Sequence, residues 1–227
     1  MPLETFHNHV GIPPQFSPAK NLRPRSLQDD GRPLVLSGLR VHDCTDADAC
    51  QIKPEFTGWL ASGVYIDDVE IRGVIKTPKG AQAGLHVDAL QMHHTGRAIP
   101  WVMRNVKLEA LEGAETFNAA GEFSRIYAEA CEANKPWKFK VKTPELVLRD
   151  WRGQKVYCWE GVGRVLLIDC PDTQVQLPTG GTAFPRVVRL HADEVARMAT
   201  ELGQAQERER RMQTGVQKAI EDLRGLM

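Results

Sequence analysis

Residues 137–142 alternate strictly between apolar and basic side chains. In order they are Trp137, Lys138, Phe139, Lys140, Val141 and Lys142. Successive side chains of a β-strand point to opposite faces, so a period of two places the apolar set on one face and the lysines on the other. The pattern predicts a strand with a buried face and a basic outer face. We extend it over 137–149, where Pro144 indicates an edge strand or a break between two strands.

Other segments also have strand-like composition. They are 34–41, 64–76, 85–90, 99–111, 156–168 and 184–190, all rich in branched or aromatic residues. Such residues favour a pleated, half-buried surface. Within 64–76 the apolar phase shifts at Asp67 and Asp68 and again near Gly73, which indicates a bulge or a bend. The chain is therefore predicted to be mainly β.

One internal segment, residues 114–134, has the pattern of a helix instead. Most of its residues are good helix formers. Its apolar residues recur at spacings of three and four: Phe117, Ala120, Phe123, Ile126, Tyr127 and Ala130. Asn134 and Pro136 are typical of a helix end, although Gly121 weakens the pattern. We predict a single helix inserted between strands.

The last 35 residues, 193–227, are predicted to form a long amphipathic helix. With Val195 as heptad position a, the a and d positions hold Val195, Met198, Leu202, Ala205, Glu209, Met212, Val216, Ala219, Leu223 and Leu226. Nine of these ten are apolar, and Glu209 is the exception, which is a heptad pattern over nearly five repeats. Two interpretations stay open: a helix packed on its own domain, or a helix that binds another subunit.

The N-terminal segment, residues 1–33, contains six prolines and is predicted to be an extended arm. We therefore divide the chain into the arm, a β-rich core over 34–191 and the C-terminal helix over 192–227. The sequence shows no evident internal repeat.

Composition narrows the class of protein. The chain has 29 basic and 29 acidic residues, so its formal net charge is zero and only a local patch could attract nucleic acid. Its five cysteines form no close pair, which favours free thiols in a reducing compartment. The first ten residues lack the pattern of a signal peptide, and no apolar run is long enough to span a membrane. We expect a cytoplasmic protein.

The predicted order of elements, with one helix between the third and fourth of five strands, resembles that of the OB-fold proteins that bind single-stranded nucleic acid. The resemblance covers roughly residues 34–170 and rests on element order alone. It implies an α+β, mainly β fold: an OB-like, partly open barrel with one inserted helix, followed by the long C-terminal helix. It also implies oligonucleotide binding on one sheet face. An unrelated β-sandwich or a sheet with one packed helix would have a similar order.

A basic and aromatic segment over 135–155 is the main candidate site. Cations follow the phosphates of single-stranded nucleic acid and aromatic faces stack on its bases. The predicted binding residues are Lys76, Lys79, Arg97, Arg104, Lys107, Lys135, Trp137, Lys138, Lys140, Lys142, Arg149, Trp151, Arg152 and Lys155. Trp137 and Trp151, near strand ends, are expected to be exposed for stacking. The simpler interpretation is a solvated basic face over a packed aromatic layer.

A histidine group is the second candidate. His86 and Asp88 would point to the same side of a strand, and with His94 or His191 they would form the ligand set of a non-haem iron site. No suitable strand context surrounds His191, so we predict no metal site. The acidic loop around Asp46 and Asp48 fits no calcium-loop register and is interpreted as a solvated turn.

Motifs for nucleotide binding and for hydrolysis are lacking: the sequence contains no P-loop, no GxGxxG and no GxSxG. We therefore expect no cofactor and no catalytic residues. The sequence predicts a non-enzymatic protein that binds single-stranded DNA or RNA, with homo-oligomer or partner contacts through 193–227. The alternative is a structural subunit of a multi-protein assembly, for example a phage particle, connected by its arm and its C-terminal helix.

Overall fold

The computed structural model describes residues 34–52, 63–177 and 184–224. The predicted arm over 1–33 lies outside the described residues. The strands are β1 (Leu34–Ser37), β2 (Arg40–His42), β3 (Cys50–Ile52), β4 (Val64–Val74), β5 (Asp88–Ala110), β6 (Glu115–Glu129), β7 (Glu132–Ala133), β8 (Trp137–Arg149), β9 (Lys155–Cys158), β10 (Val162–Ile168), β11 (Gln174–Gln176) and β12 (Arg186–Leu190). The helices are α1 (Pro78–Gln82) and α2 (Ala192–Arg224).

The chain divides into two compact units, Met1–Arg189 and Leu190–Met227. The first unit contains nearly all the strands and the whole apolar core. The second unit is essentially α2, which confirms the predicted long C-terminal helix.

The strands of the first unit pair in two continuous parallel ladders, so that each turn of the chain around the unit is hydrogen-bonded to the next turn. One ladder joins residues in register in the order Leu34, Val64, Trp101, Ile126, Leu146 and Val165. A second ladder joins Cys50, Leu90, Phe117, Trp137, Val156 and Val175. Every described register is parallel, and the same chain passes through both ladders alternately. The first unit is therefore a β-solenoid, in which successive turns of chain stack on one another.

A left-handed backbone corner recurs in each turn at the end of the first ladder. The residues at this corner directly follow the paired residues of the first ladder, and all of them have positive φ. They are Gly38, Asp68, Asn105, Ala130, Asp150 and Asp169, with φ between 46° and 65°. Glycine, asparagine and aspartate tolerate this region better than other residues. The corner turns the chain from the first ladder toward the short strands β2 and β7, and it explains the phase shift that the sequence shows at Asp68.

An aromatic column lies in the interior of the first unit. We use this name for Trp101, Phe117, Trp137 and Trp151, whose rings contact one another in that order at centroid distances of 5.3, 4.7 and 5.6 Å. All four side chains are buried. Aromatic pairs at these distances stabilise a fold beyond the area that they bury, so stacked turns are held together through their centre.

The helix predicted over 114–134 is wrong, because most of this segment is the strand β6. Phe117 pairs with Leu90 on one side and with Trp137 on the other, so β6 lies between two neighbouring strands. The backbone hydrogen bonds of both ladders and burial of Phe117 and Ile126 override the helix propensity of its alanines and glutamates. Gly121 has φ of 120°, and an added Cβ would lie 1.7 Å from the carbonyl oxygen of His94, so only glycine fits there.

The prediction of a mainly β protein is confirmed, whereas the OB-like barrel is not. An OB fold is a Greek-key barrel, which requires antiparallel neighbours. Here the registered ladders are parallel, and the path of paired strands runs from β1 to β12 without closing. The difference follows from β6, since a strand in place of the expected helix lets consecutive turns stack directly.

Candidate functional site

The predicted stacking tryptophans are not on the surface. Trp137 is 0% exposed and Trp151 is 3% exposed, and both belong to the aromatic column. The expectation that they are exposed for base stacking is therefore wrong. Trp137 alternates with lysines because it lies on the apolar face of β8, which forms part of the solenoid core. Tyr157 and Trp159, in the next turn, are the partly exposed aromatics beside the lysines.

The three lysines of β8 contact groups on neighbouring turns. The Nζ of Lys138 contacts a carboxylate oxygen of Glu115, and the Nζ of Lys142 lies 2.9 Å from Oε1 of Glu122. The Nζ of Lys140 lies 5.3 Å from the ring centroid of Trp159, within cation–π range. Two of the three charges are thus paired with carboxylates, which lowers the positive potential of this face.

The predicted arginines are also paired, and they flank the left-handed corner in the sequence. Arg104 and Arg149 both contact Glu129, at 3.5 and 3.3 Å, so one carboxylate joins cations from the turns before and after it. Arg152 lies 3.8 Å from Asp150. Basic and acidic residues therefore alternate from turn to turn at this corner.

The remaining predicted cations do not gather into one patch. The Nζ of Lys135 donates to the carbonyl oxygens of Leu111 and Ala114. The ion pairs among the described residues do not include Lys76, Lys79, Lys107 and Lys155, which belong to different segments of the fold. Arg97 lies in β5, but its side chain is outside the described part of the structure.

A buried polar cluster forms where the second ladder begins. Asp48, His86 and Asp88 each offer a ligand atom, and these atoms lie within 4.8 Å of one another. His86 Nδ1 lies 3.0 Å from Oδ2 of Asp88, and the backbone N–H of Asp88 donates to Oδ1 of Asp48 at 2.8 Å. We call these three residues the Asp–His cluster.

Two glutamines hold the carboxylates of the Asp–His cluster in place. Gln51 Nε2 donates to Asp48 Oδ2 at 2.7 Å and to Gln91 Oε1 at 2.6 Å, while Gln91 Nε2 donates to Asp88 Oδ2 at 3.1 Å. Gln51 and Gln91 are partners in register on β3 and β5, so the network joins two successive turns. Because the two glutamine amides link the two carboxylates in one chain of hydrogen bonds, both carboxylates are fixed in orientation.

The electrostatics of the cluster follow from its burial. Burial raises the pKa of the Asp88 carboxyl, and the hydrogen bond to His86 partly opposes that rise. For His86, the hydrogen bond to Asp88 raises the pKa of the imidazole, partly opposed by burial. Glu115 is the register partner of Asp88 and adds a further carboxylate on the next turn.

Sequence reasoning found two members of this cluster and missed the third. His86 and Asp88 were considered as ligands, whereas Asp48 was assigned to a solvated acidic turn; the structure buries it. The signal that could have found it is a short repeat, because residues 48–52 (DACQI) and 88–92 (DALQM) share Asp, Ala and Gln in the same order. Their register partnership shows that the two segments occupy equivalent positions in successive turns.

The other two candidate histidines do not complete the cluster. His94 lies six residues beyond Asp88 on β5, roughly 20 Å along an extended strand, and its ring contacts Phe123 at 5.8 Å. His191 belongs to the second unit. The His–Asp–His ligand set considered from the sequence is therefore not assembled among the described residues of the first unit.

Helix α2 has an apolar stripe on its surface. Met198 is 56% exposed, Leu202 is 60% exposed and Met212 is 67% exposed. These residues occupy a and d positions of the heptad pattern. Large apolar side chains with this spacing are typical of a helix that packs against another helix.

None of the described helices is both long enough and apolar enough to cross a membrane. Compared with known proteins, the chain matches no family model, no curated protein and no solved structure, so its function has to be inferred from its own geometry.

Proposed function

We propose that this chain is a non-enzymatic structural subunit that assembles with further copies of itself through α2. The observation that carries the proposal is the exposed apolar stripe of Met198, Leu202 and Met212. Exposed apolar surface of this kind is costly in water, and burying it against another helix is favourable.

The charges of α2 support a second copy of α2 as the partner. The ion pairs of the helix join Arg197 to Glu201 at 4.0 Å and Glu207 to Arg210 and Arg211, both at 3.0 Å. None of these five residues is at an a or d position. Because these five charged side chains are paired within one helix and lie off the a and d positions, the apolar stripe is what remains to be covered.

The heptad pattern also matches itself in a parallel arrangement. In a parallel coiled coil, g residues of one helix face e residues of its neighbour. Here the g positions with described side chains hold Glu194, Glu201 and Arg208, and the e positions hold Ala199, Gln206 and Gln213. Since the e residues are neutral, no like charges would meet across such an interface. Glu209 at an a position is the polar interruption that can select one register and one oligomeric state.

Size-exclusion chromatography with light scattering of the full chain tests the proposal. We expect an oligomer for the natural sequence and a monomer for Leu202→Glu, because that substitution places a charge in the apolar seam. Gln204→Glu is the matched control, since it adds the same charge at position c of the same helix turn and should leave the oligomer intact. A monomeric natural chain, or an oligomer unaffected by Leu202→Glu, would contradict assembly through α2.

Binding of single-stranded nucleic acid is the second candidate. The observation in its favour is that Lys138 is the register partner of Tyr157, while Lys140 contacts the partly exposed ring of Trp159. This places cations and accessible aromatics side by side without the buried Trp137 and Trp151, and without an OB-like barrel.

Fluorescence anisotropy with labelled single-stranded DNA and RNA at two salt concentrations tests this candidate. If it holds, binding weakens steeply with salt, and Trp159→Ala weakens binding by a factor that corresponds to roughly 1–3 kcal/mol of lost stacking. Phe184→Ala is the control, since Phe184 is an exposed aromatic outside β8 and outside the turn that holds Trp159. Absence of binding at low salt would eliminate the candidate and leave the assembly proposal in place.

A further inference from the structure

The acceptor oxygens around the Asp–His cluster outnumber the donors that reach them. Asp88 Oδ1, Gln51 Oε1, Asn118 Oδ1 and Glu115 Oε2 are all buried, and none has a hydrogen-bond partner among the described residues. The side chain of Asp88 has no exposed surface, so bulk water does not reach its free oxygen. A buried carboxylate oxygen without a donor is costly unless a cation or a proton satisfies it.

The free oxygen of Asp88 belongs to a carboxylate that already contacts the cluster through its other oxygen. Its partner oxygen, Oδ2, already accepts from Gln91 and contacts His86 Nδ1 at 3.0 Å. The two oxygens of one carboxylate are only roughly 2 Å apart, as its bond lengths of about 1.2 Å require. Oδ1 therefore lies within the same small space as the ligand atoms of Asp48 and His86.

Charge in this region favours a cation. Asp48 and Asp88 contribute two carboxylates, and Glu115 adds a third with its Oε2 4.0 Å from His86 Nε2. Lys138 contacts the other oxygen of Glu115. The half-exposed His86 is the one titratable base within the cluster itself, so fully ionised carboxylates leave an excess of negative charge.

We propose that Asp48, His86 and Asp88 form a binding site for one divalent transition-metal ion. The three ligand atoms lie within 4.8 Å of one another, and the ligands of a tetrahedral ion with bonds of about 2.1 Å are roughly 3.4 Å apart, so side-chain movements of about 1 Å close the site. Two carboxylates and an imidazole suit manganese, iron or zinc, whereas calcium and magnesium prefer oxygen ligands alone.

The hydrogen bonds already described fit the second layer of such a site. Gln51 orients Asp48 and Gln91 orients Asp88, which is the usual role of outer-layer partners of metal-binding carboxylates. Because Asp48 precedes β3 and Asp88 begins β5, the ion would link two successive turns of the solenoid. The three residues belong to the first unit, whereas the surface proposed for assembly belongs to α2.

Titration of the full chain with Mn²⁺ tests the proposal, after chelator treatment and dialysis, with free Mn²⁺ measured by electron paramagnetic resonance. We expect one Mn²⁺ per chain, displaced by Zn²⁺. His86→Gln removes a half-exposed ligand with little effect on folding, and Asp88→Asn removes the charge but keeps the shape. Each should weaken Mn²⁺ binding at least tenfold, by about 1.4 kcal/mol.

His42→Gln is the matched control, since His42 is a partly buried histidine on β2 outside the cluster. The Mn²⁺ affinity of this variant should equal that of the natural chain. Circular dichroism identifies any variant that fails to fold. If Asp88→Asn does not fold, the Mn²⁺ affinity of His86→Gln decides the test. A natural chain that binds neither Mn²⁺ nor Zn²⁺ would show that a proton satisfies Asp88 and would overturn the proposal. Binding that is unchanged in His86→Gln would overturn it as well.

Discussion

At the residue scale, the left-handed corner requires a positive φ at the same position of successive turns, and this requirement favours certain residue types. Five of its six positions hold glycine, aspartate or asparagine, which adopt positive φ at low cost. Ala130, with φ of 51°, is the exception. Its Cβ is strained in this conformation while its N–H still donates to the carbonyl oxygen of Arg149 at 3.0 Å.

Ala130→Gly should therefore stabilise the protein. Removing the strained Cβ gains more than the added chain entropy of glycine costs, so we expect a net gain of roughly 0.5–1 kcal/mol in the free energy of unfolding. Urea unfolding measures it. Ala120→Gly, in the extended strand β6, should lose a similar amount; a loss of stability in both variants would refute the explanation of the corner.

The five cysteines are all free and buried, which links stability to alkaline pH. Burial raises the pKa of Cys50, Cys131 and Cys158 from 9.0 to about 12, and that of Cys44 to about 11. Since the folded pKa exceeds the unfolded one, this stability is fully present below pH 9 and is lost as pH rises toward 11–12.

We expect the free energy of unfolding to fall between pH 9 and 11, with each such thiol contributing up to about 1.4 kcal/mol per pH unit. Urea unfolding at several pH values measures the slope. Cys50→Ala should make the slope shallower, and a slope that this substitution leaves unchanged would assign the alkaline loss to other groups. A thiol reagent at pH 8 should react with the five cysteines only after unfolding.

At the element scale, the aromatic column links β8 to the preceding turn. Trp137 touches Phe117 on the preceding turn at 4.7 Å, and Phe139 and Trp151 at 6.2 and 5.6 Å. The ion pairs on its outer face are exposed or half-exposed, and such pairs contribute little to stability. Packing of the apolar face therefore decides the stability of β8.

Trp137→Ala should destabilise the protein by about 3–5 kcal/mol, because it leaves a cavity in the column that the neighbouring turns cannot fill. Thermal or urea unfolding measures the loss. Trp159→Ala is the matched control: its ring is partly exposed in the turn after β9, so the loss should be much smaller. Equal losses for the two substitutions would contradict the central place of the column.

At the scale of the whole molecule, the two units differ in what stabilises them. The first unit has a continuous apolar core, whereas the described part of α2 exposes its large apolar residues. Solenoids gain stability from contacts between neighbouring turns, so the first unit has the interactions it needs within itself. The described part of α2 has no such neighbouring turns, and we expect it to gain its packing on association.

Removal of residues 191–227 should therefore leave the β unit folded while abolishing self-association. Circular dichroism would retain the strand signal, and light scattering would report a monomer. A truncated chain that still forms the oligomer would place the interface on the solenoid. One that loses its strand signal would show that α2 is required for folding.

The sequence by itself determined those features that depend on local periodicity. Alternation of apolar and charged residues identified strands such as β4 and β8, and the heptad pattern identified α2. The bends at Asp68 and Gly73 were also visible, because positive φ favours these residue types. Free cysteines and basic residues on the outer face of β8 likewise follow from residue type and spacing.

Only the tertiary structure decided which segments pair and which side chains meet. The segment 115–129 has helix-forming residues, yet it is a strand because partners on both sides complete its hydrogen bonds. Residues paired in register on successive turns are 19 to 40 residues apart in the sequence, and this variation hides the repeat. Asp48 and Asp88 therefore look unrelated in the sequence until the pairing of β3 with β5 brings them side by side. Burial of Trp137 and Trp151 depends in the same way on contacts between turns, which no local pattern contains.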